Sequence, residues 1–275
     1  MLLSYLSLLH PPPESFHAPV PASSIVLAGD STGGALCLAL LQLLLHFKRN
    51  NTTTVRFYES LVGLPLPAGL SVLSPSCDQT DSLPSFDNTR HVDYINRAPV
   101  YTESGFPPCS IWPTDPPRAR AYSENAALCH PLISVALADC WVGSPPMWFA
   151  CGEEAVADGC KIVAKRASEQ GVTVLFEEYM GMPHTFPLLM GMGHVPQVKL
   201  CLNDWGVFCQ RCVSQPRSLH KSRAIQVDYE TCKENEVNLN HLMSLDFQEV
   251  KERMNQGMAD IERSFRKHQQ TQVKL

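Results

Sequence analysis

Ile25-Val26-Leu27-Ala28-Gly29-Asp30-Ser31-Thr32-Gly33-Gly34 is the stretch from which the fold of this chain is read. A short apolar run leads into Gly-x-Ser-x-Gly, and an apolar segment follows from Gly34 to about Phe47. Strand, sharp turn and helix around such a serine make a nucleophile elbow. Gly29 and Gly33 relieve the turn of side chains that would clash. Ser31 then sits at the C-terminal end of a strand with its hydroxyl exposed. The helix N-terminus behind it favours developing negative charge.

Working outward, the chain alternates between strand-like and helix-like runs. Residues 25–28, 70–73, 147–151 and 172–179 read as short strands. Continuous apolar runs of this kind are buried on both faces of a parallel sheet. Residues 2–9, 33–48, 155–170 and 196–213 read as helices. The alternation predicts an α/β fold with a mostly parallel sheet flanked by helices. Residues 79–128 break the pattern: they are polar, Pro-rich and dotted with Phe86, Tyr94, Tyr101, Phe106, Trp112 and Tyr122. So long an irregular stretch inside a domain predicts a functional insertion such as a cap. The chain divides into a main domain, 1–213, and a C-terminal extension, 214–275. Residues 214–244 read as extended or irregular. Residues 246–268 read as an amphipathic helix, with Phe247, Val250, Met254, Met258, Ile261 and Phe265 at 3–4 spacing.

A serine hydroxyl needs a base within hydrogen-bond reach, and the base needs an orienting acid. Chain order in elbow-bearing α/β folds is serine, acid, histidine. His184 lies in the short loop after the 172–179 strand and is the strongest base. His194 is the reserve, and His130 reads as structural. After the 147–151 strand, Glu153, Glu154 and Asp158 compete for the acid. Glu154 stands in the turn where a side chain can project from the sheet edge. Asp158 is explained by the preference for acids in a helix's first turn.

Gly29-Asp30-Ser31-Thr32-Gly33-Gly34 resembles the GDSAGG motif of the hormone-sensitive lipase-like branch of α/β-hydrolases. Ser74-Pro75, Gly152-Glu153-Glu154 and Gly181-Met182-Pro183-His184-Thr185-Phe186 are similar to that family, in the same order, over about residues 20–210. The resemblance implies Ser31 as nucleophile, His184 as base and Glu154 as acid. The family's acid-to-histidine interval and its second acid four positions later both favour Glu154 over Asp158. The implied activity is that of a serine carboxylic-ester hydrolase working through an acyl-enzyme. It needs no metal and no organic cofactor. Its substrate would be a small ester, with an apolar group suggested by the aromatic insertion.

The chain also departs from the family. The resemblance implies a sheet of about eight strands with the nucleophile after the fifth, whereas four strand-like runs are legible here. The fold is therefore expected to be a partial α/β-hydrolase fold lacking its N-terminal part. No His-Gly-Gly occurs in the sequence, so the family's oxyanion loop has no counterpart. The Thr32 backbone N–H remains as an oxyanion donor, and losing one such donor costs about 10²–10³ in turnover. The 25–28 strand becomes an apolar sheet edge, which favours pairing with another chain. An alternative follows: a non-catalytic hydrolase remnant that acts through protein–protein assembly. A homo-oligomer could form through that edge or through the C-terminal helix.

Composition bounds these readings. The 275 residues are 44 % apolar and 18 % charged, which is ordinary for a globular chain. A net charge of −5 gives no reason to expect nucleic acid or an anionic membrane as partner. No apolar run reaches the roughly 18 residues of a membrane span, and no secretory leader is legible. The 11 cysteines are scattered through apolar stretches, which suggests reduced thiols and a cytoplasmic setting. Cys209-x-x-Cys212 lacks a second pair at zinc spacing and reads as structural. The Asn51-Thr52-Thr53 sequon reads as a polar loop.

Overall fold

A computed structural model describes residues 1–95, 109–111, 118–121 and 123–272 of the chain. Its strands are β1 (Val26–Asp30), β2 (Thr54–Phe57), β3 (Ser60–Gly63), β4 (Gly69–Leu73), β5 (Met147–Gly152), β6 (Val174–Tyr179), β7 (Arg223–Val227) and β8 (Glu234–Val237). Its helices are α1 (Leu2–Leu9), α2 (Ser31–Arg49), α3 (Ser85–Asn88), α4 (Ala157–Glu169), α5 (Pro196–Ser214) and α6 (Phe247–Gln272). Among the described residues the main sheet has six strands, in the order β1-β4-β5-β6-β7-β8. The first five run parallel, and β8 closes the far edge antiparallel to β7. β2 and β3 form a separate antiparallel hairpin.

The apolar strands are buried from both sides, as parallel sheets require. Side chains alternate across a strand, and the core divides accordingly. Leu70, Val72, Met147, Phe149, Val174 and Phe176 face one apolar cluster with Leu41 of α2, Ile162 of α4 and Met254 of α6. Leu73, Trp148, Ala150 and Tyr179 face a second cluster, which Val198, Phe208 and Cys212 of α5 cover. The result is a three-layer α/β/α arrangement. α5 lies very close to the sheet: a Cβ on Gly69 would collide with the Cys212 sulfur.

α2 is long and apolar enough to cross a membrane by length and composition, although no unbroken apolar run in the sequence reaches that length. About half of it is buried, and it packs on β1 and β4, where it serves as the core helix behind the sheet. All 11 cysteines are free thiols, with Cys209 and Cys212 both on α5. Burial pushes the Cys77 and Cys160 thiols upward, so they fill the core as neutral groups.

Several elements differ from the sequence reading. α2 begins at Ser31, two residues before the expected start, so the serine itself opens the helix. The β2–β3 hairpin was not anticipated. Its turn holds Tyr58 at φ 51°, a conformation usually left to Gly or Asn. Residues 214–244, read as extended or irregular, supply two paired strands, β7 and β8, and β7 pairs along β6 from Leu175 to Tyr179. The sheet therefore runs without a break across the division placed at 213. α6 packs on the same body: Val250 and Met254 are fully buried, and the Arg166 guanidinium lies 3.5 Å over the Phe247 ring. The side chain of Phe265 lies outside the described residues.

Of the 79–128 insertion, residues 96–108, 112–117 and 122 fall outside the described residues, and with them Tyr101, Phe106, Trp112 and Tyr122. The described part is anchored. Asp78 accepts backbone N–H bonds from Thr80 (2.7 Å), Ser82 (3.0 Å) and Leu83 (3.3 Å). Leu83 and Phe86 are buried.

Candidate active site

β1 delivers Ser31 at its C-terminal end, with φ 49° at the turn into α2. That left-handed conformation is costly for a residue with a Cβ and is held only where the surroundings demand it. The two flanking glycines contribute unequally. A Cβ on Gly29 would lie 2.6 Å from the Gly33 carbonyl carbon and oxygen, so position 29 admits no side chain. A Cβ on Gly33 meets nothing within 4 Å. The next tight contact is at Gly34, whose Cβ would press on Pro75 at 3.1 Å. The sequence reading placed the steric demand on 29 and 33; the structure places it on 29 and 34.

The loop after β6 brings His184 over the serine. His184 Nε2 lies 2.8 Å from Ser31 Oγ, across 153 residues of chain. That separation is a full hydrogen bond. Behind the imidazole, Nδ1 stands 3.5 Å from Glu154 Oε2. This second separation is in ion-pair range but long for a hydrogen bond. Such contacts are often loose before a substrate arrives. Glu154 lies in the turn after β5 and is completely buried. Burial pushes its carboxyl above the ordinary range, opposed by His184 and by the Ser74 hydroxyl. The Ser74 hydroxyl donates to Glu154 Oε2 at 2.9 Å and accepts from the Thr185 N–H at 3.1 Å. Acid turn and base loop are closely apposed: a Cβ on Gly152 would collide with the Met182 carbonyl oxygen.

The competing residues are occupied elsewhere. Asp158 Oδ2 accepts from the Ser85 N–H at 2.7 Å, and the Asp158 N–H donates to Ser85 Oγ at 3.1 Å. Glu153 Oε2 accepts from the Gly181 N–H at 3.0 Å and so shapes the histidine loop. His194 and His130 are exposed, and His130 Nδ1 accepts from the Leu132 N–H. Thr32 is in the first turn of α2, where backbone N–H groups have no intrahelical partner.

Two residues at the site carried no functional reading in the sequence. Ser74 enters the sequence reading only within the family-like Ser74-Pro75 pair, with no role assigned; it is fully buried with φ 49°. Asp93, inside the insertion, accepts the His184 N–H at 3.1 Å and the Ala155 N–H at 2.7 Å. Its neighbour Tyr94 stands edge-on to the His184 ring at 6.1 Å, and its hydroxyl lies 3.1 Å from Thr185 Oγ1. An aspartate-tyrosine pair inside an irregular segment gives no local signal of such partners.

An elbow serine, an imidazole on it and a buried acid behind, at the C-terminal ends of parallel strands, define the α/β-hydrolase class of site. Residues 13–188 match the family described as the alpha/beta hydrolase fold, and the chain belongs to it. Among solved structures it is similar to an esterase from the bacterial hormone-sensitive lipase (HSL) family, at 27 % identity and a TM-score of 0.54. It is also similar to a mutant of the esterase E40, at 26 % identity and a TM-score of 0.51. Each match covers 70 % of this chain and 55 % of the other, so the chain spans about half the length of these structures. EstE5 soaked with p-nitrophenyl butyrate shares the fold at 22 % identity. No match was found among curated proteins.

Proposed function

We propose that the chain is a serine carboxylic-ester hydrolase. The observation that carries this reading is the 2.8 Å contact between Ser31 Oγ and His184 Nε2. Ser31 Oγ attacks the ester carbonyl carbon while its proton passes to His184 Nε2. Charge gathers on the former carbonyl oxygen, which the Thr32 N–H and the N-terminus of α2 stabilise. The intermediate collapses, and the alcohol leaves with the proton from His184. Water then attacks the acyl-serine by the same route in reverse, giving the carboxylic acid and free Ser31. Glu154 holds the imidazole tautomer and balances the imidazolium. The acid must be ionised for this, so activity falls as pH drops through its raised pKa. The substrate is a small ester with an apolar group.

A fluorophosphonate probe tests the array without needing turnover. It should label Ser31, and the label should vanish in Ser31→Ala. An unlabelled native chain, or a label that survives the substitution, overturns the assignment.

A second reading draws on the position of β1. It is the outermost strand, with none beyond it among the described residues, and Ala28 in its middle is exposed. An unpaired parallel edge is a template for another strand. In this reading the chain acts by assembly through that edge, as a homo-oligomer or with another protein. Labelling at Ser31 together with undetectable turnover of a short-chain aryl ester would favour it.

A further inference from the structure

The acid and the base of the array come from two different loops, after β5 and after β6. Side-chain and packing contacts join these loops around the array: Ser74, Glu153, the close approach at Gly152, and Asp93. Asp93 comes from outside the parallel-strand framework. It sits 62 residues before Ala155 and 91 before His184, and is 7 % exposed. Its two carboxyl oxygens are divided between the two loops. Oδ2 takes the N–H of Ala155, the residue after the acid, and Oδ1 takes the N–H of His184 itself. The Ile95 N–H also reaches Oδ1, at 3.4 Å.

The segment that presents Asp93 is fixed at its other end. Ser85 opens α3 and exchanges two hydrogen bonds with Asp158, while its hydroxyl donates to the Ala155 carbonyl at 2.7 Å. The Thr89 hydroxyl donates to the Ser85 carbonyl, and the Asp93 N–H returns to the Thr89 carbonyl at 2.9 Å. Residues 85–93 thus form a bracket. One end grips the acid's turn through Ser85, and the other grips both loops through Asp93. Ala155 is therefore held on both sides, its N–H by Asp93 and its carbonyl by Ser85.

We propose that Asp93 is a positioning residue for the hydrolytic array, setting the separation of His184 Nδ1 from Glu154 by holding both loops with one carboxyl group. This rests on the serine–histidine–glutamate reading above. A carboxylate suits the task because both partners are N–H donors and it offers an acceptor to each. An amide of the same shape offers one acceptor and presents an NH2 group to the other N–H. A methyl offers neither and leaves two buried donors unpaired. The bracket also makes the insertion part of the catalytic geometry, because Tyr94, next to Asp93, rests against the imidazole edge and the Thr185 hydroxyl.

The full chain is compared with Asp93→Asn, Asp93→Ala and, as a control on the exposed surface of the same segment, Asp87→Asn. Two readouts are taken: the second-order rate of fluorophosphonate labelling at Ser31 from about pH 5 to 9, and amide hydrogen exchange at His184 and Ala155. Labelling should slow about tenfold in Asp93→Asn and about a hundredfold in Asp93→Ala, each tenfold being one misplaced hydrogen bond's worth of transition-state stabilisation. The slowing should persist across the pH range at temperatures where thermal unfolding shows each variant fully folded. His184 and Ala155 amides should exchange faster in the same order, and Asp87→Asn should behave as the native chain. A folded Asp93→Ala that labels at the native rate overturns the proposal, as does unchanged exchange at both amides. Should Asp93→Ala fail to fold, Asp93→Asn decides on the same two criteria. A native chain that does not label at Ser31 sinks the array itself, whereas a labelled native chain matched by its variants sinks only the role of Asp93.

Discussion

The two flanks of Ser31 are built to different standards. On the His184–Glu154 side, Ser74, Glu153, Asp93 and the Gly152–Met182 contact fix the loops, and every one of them is tied to a backbone group. On the β1 side the serine stands on the outermost strand among the described residues. There the turn is shaped by close approaches at Gly29 and Gly34, the tighter at Gly29. The lesson is that proton transfer and oxyanion stabilisation are separable demands on one fold. In the proposed hydrolase the first is over-determined, and the second rests on the Thr32 N–H and the α2 N-terminus.

The largest effect should come from breaking the well-built flank. His184→Ala is expected to lower fluorophosphonate labelling of Ser31 by about 10³-fold or more, and Glu154→Gln by about 10²–10⁴-fold. Asp158→Asn should leave it near the native rate, since its carboxyl accepts from the Ser85 N–H and an amide oxygen can do the same. Equal losses for Glu154→Gln and Asp158→Asn would erase the distinction between the two acids.

The thinner flank is probed by a glycine pair. Gly29→Ala forces a methyl to 2.6 Å from the Gly33 backbone. It should destabilise the chain by about 1–3 kcal/mol, with the elbow displaced. Gly33→Ala has open space and should be tolerated. Chemical denaturation of both variants measures the difference. Similar losses would mean that the elbow depends on more than the approach at 29.

The smallest effect on chemistry, and the one that sharpens the comparison by lying on neither flank, concerns Glu177. It is buried under α5, accepting from Trp148 Nε1 at 2.9 Å and the Tyr179 hydroxyl at 2.8 Å. Burial pushes its carboxyl up to about 7 from 4.5. The folded state holds this proton more tightly than the unfolded chain. The stabilisation is therefore full below about pH 4.5 and is lost as pH rises through about 7. Glu177→Gln should flatten that slope, which in the native chain is on the order of 1.4 kcal/mol per pKa unit of the shift. Urea denaturation at about pH 5 and pH 8 checks it, with labelling at Ser31 unaffected. The same slope in both proteins would place the titration elsewhere.

What was legible in the sequence was local. The elbow, the acid turn and the histidine loop each announce themselves within a short window, and the α/β-hydrolase fold follows from them. α6 was legible because Val250, Met254 and Ile261 repeat at helical spacing over a long run. β7 was not: Ala224, Ile225 and Val227 sit in a short strand between polar neighbours, too brief a pattern to separate strand from loop. The β2–β3 turn was hidden because Tyr58 and Glu59 carry no turn signature. Asp93 and Ser74 were opaque for another reason. Their partners lie far along the chain: for Asp93 the Ala155 N–H, 62 residues away, and for Ser74 the Thr185 N–H and the Glu154 carboxylate, 111 and 80 residues away. A backbone donor leaves no mark in a sequence.

The contact between Gly69 and Cys212 constrains how this chain can vary. β4 and α5 meet there with no room for a single extra carbon, because the sulfur occupies the place a Cβ at 69 would take. A side chain at 69 requires the Cys212 thiol to move out of that place. Once position 212 shrinks, position 69 is released, and a gap opens that a new side chain can fill. The two sites, distant in sequence, are thereby coupled: what position 69 can carry depends on what stands at 212.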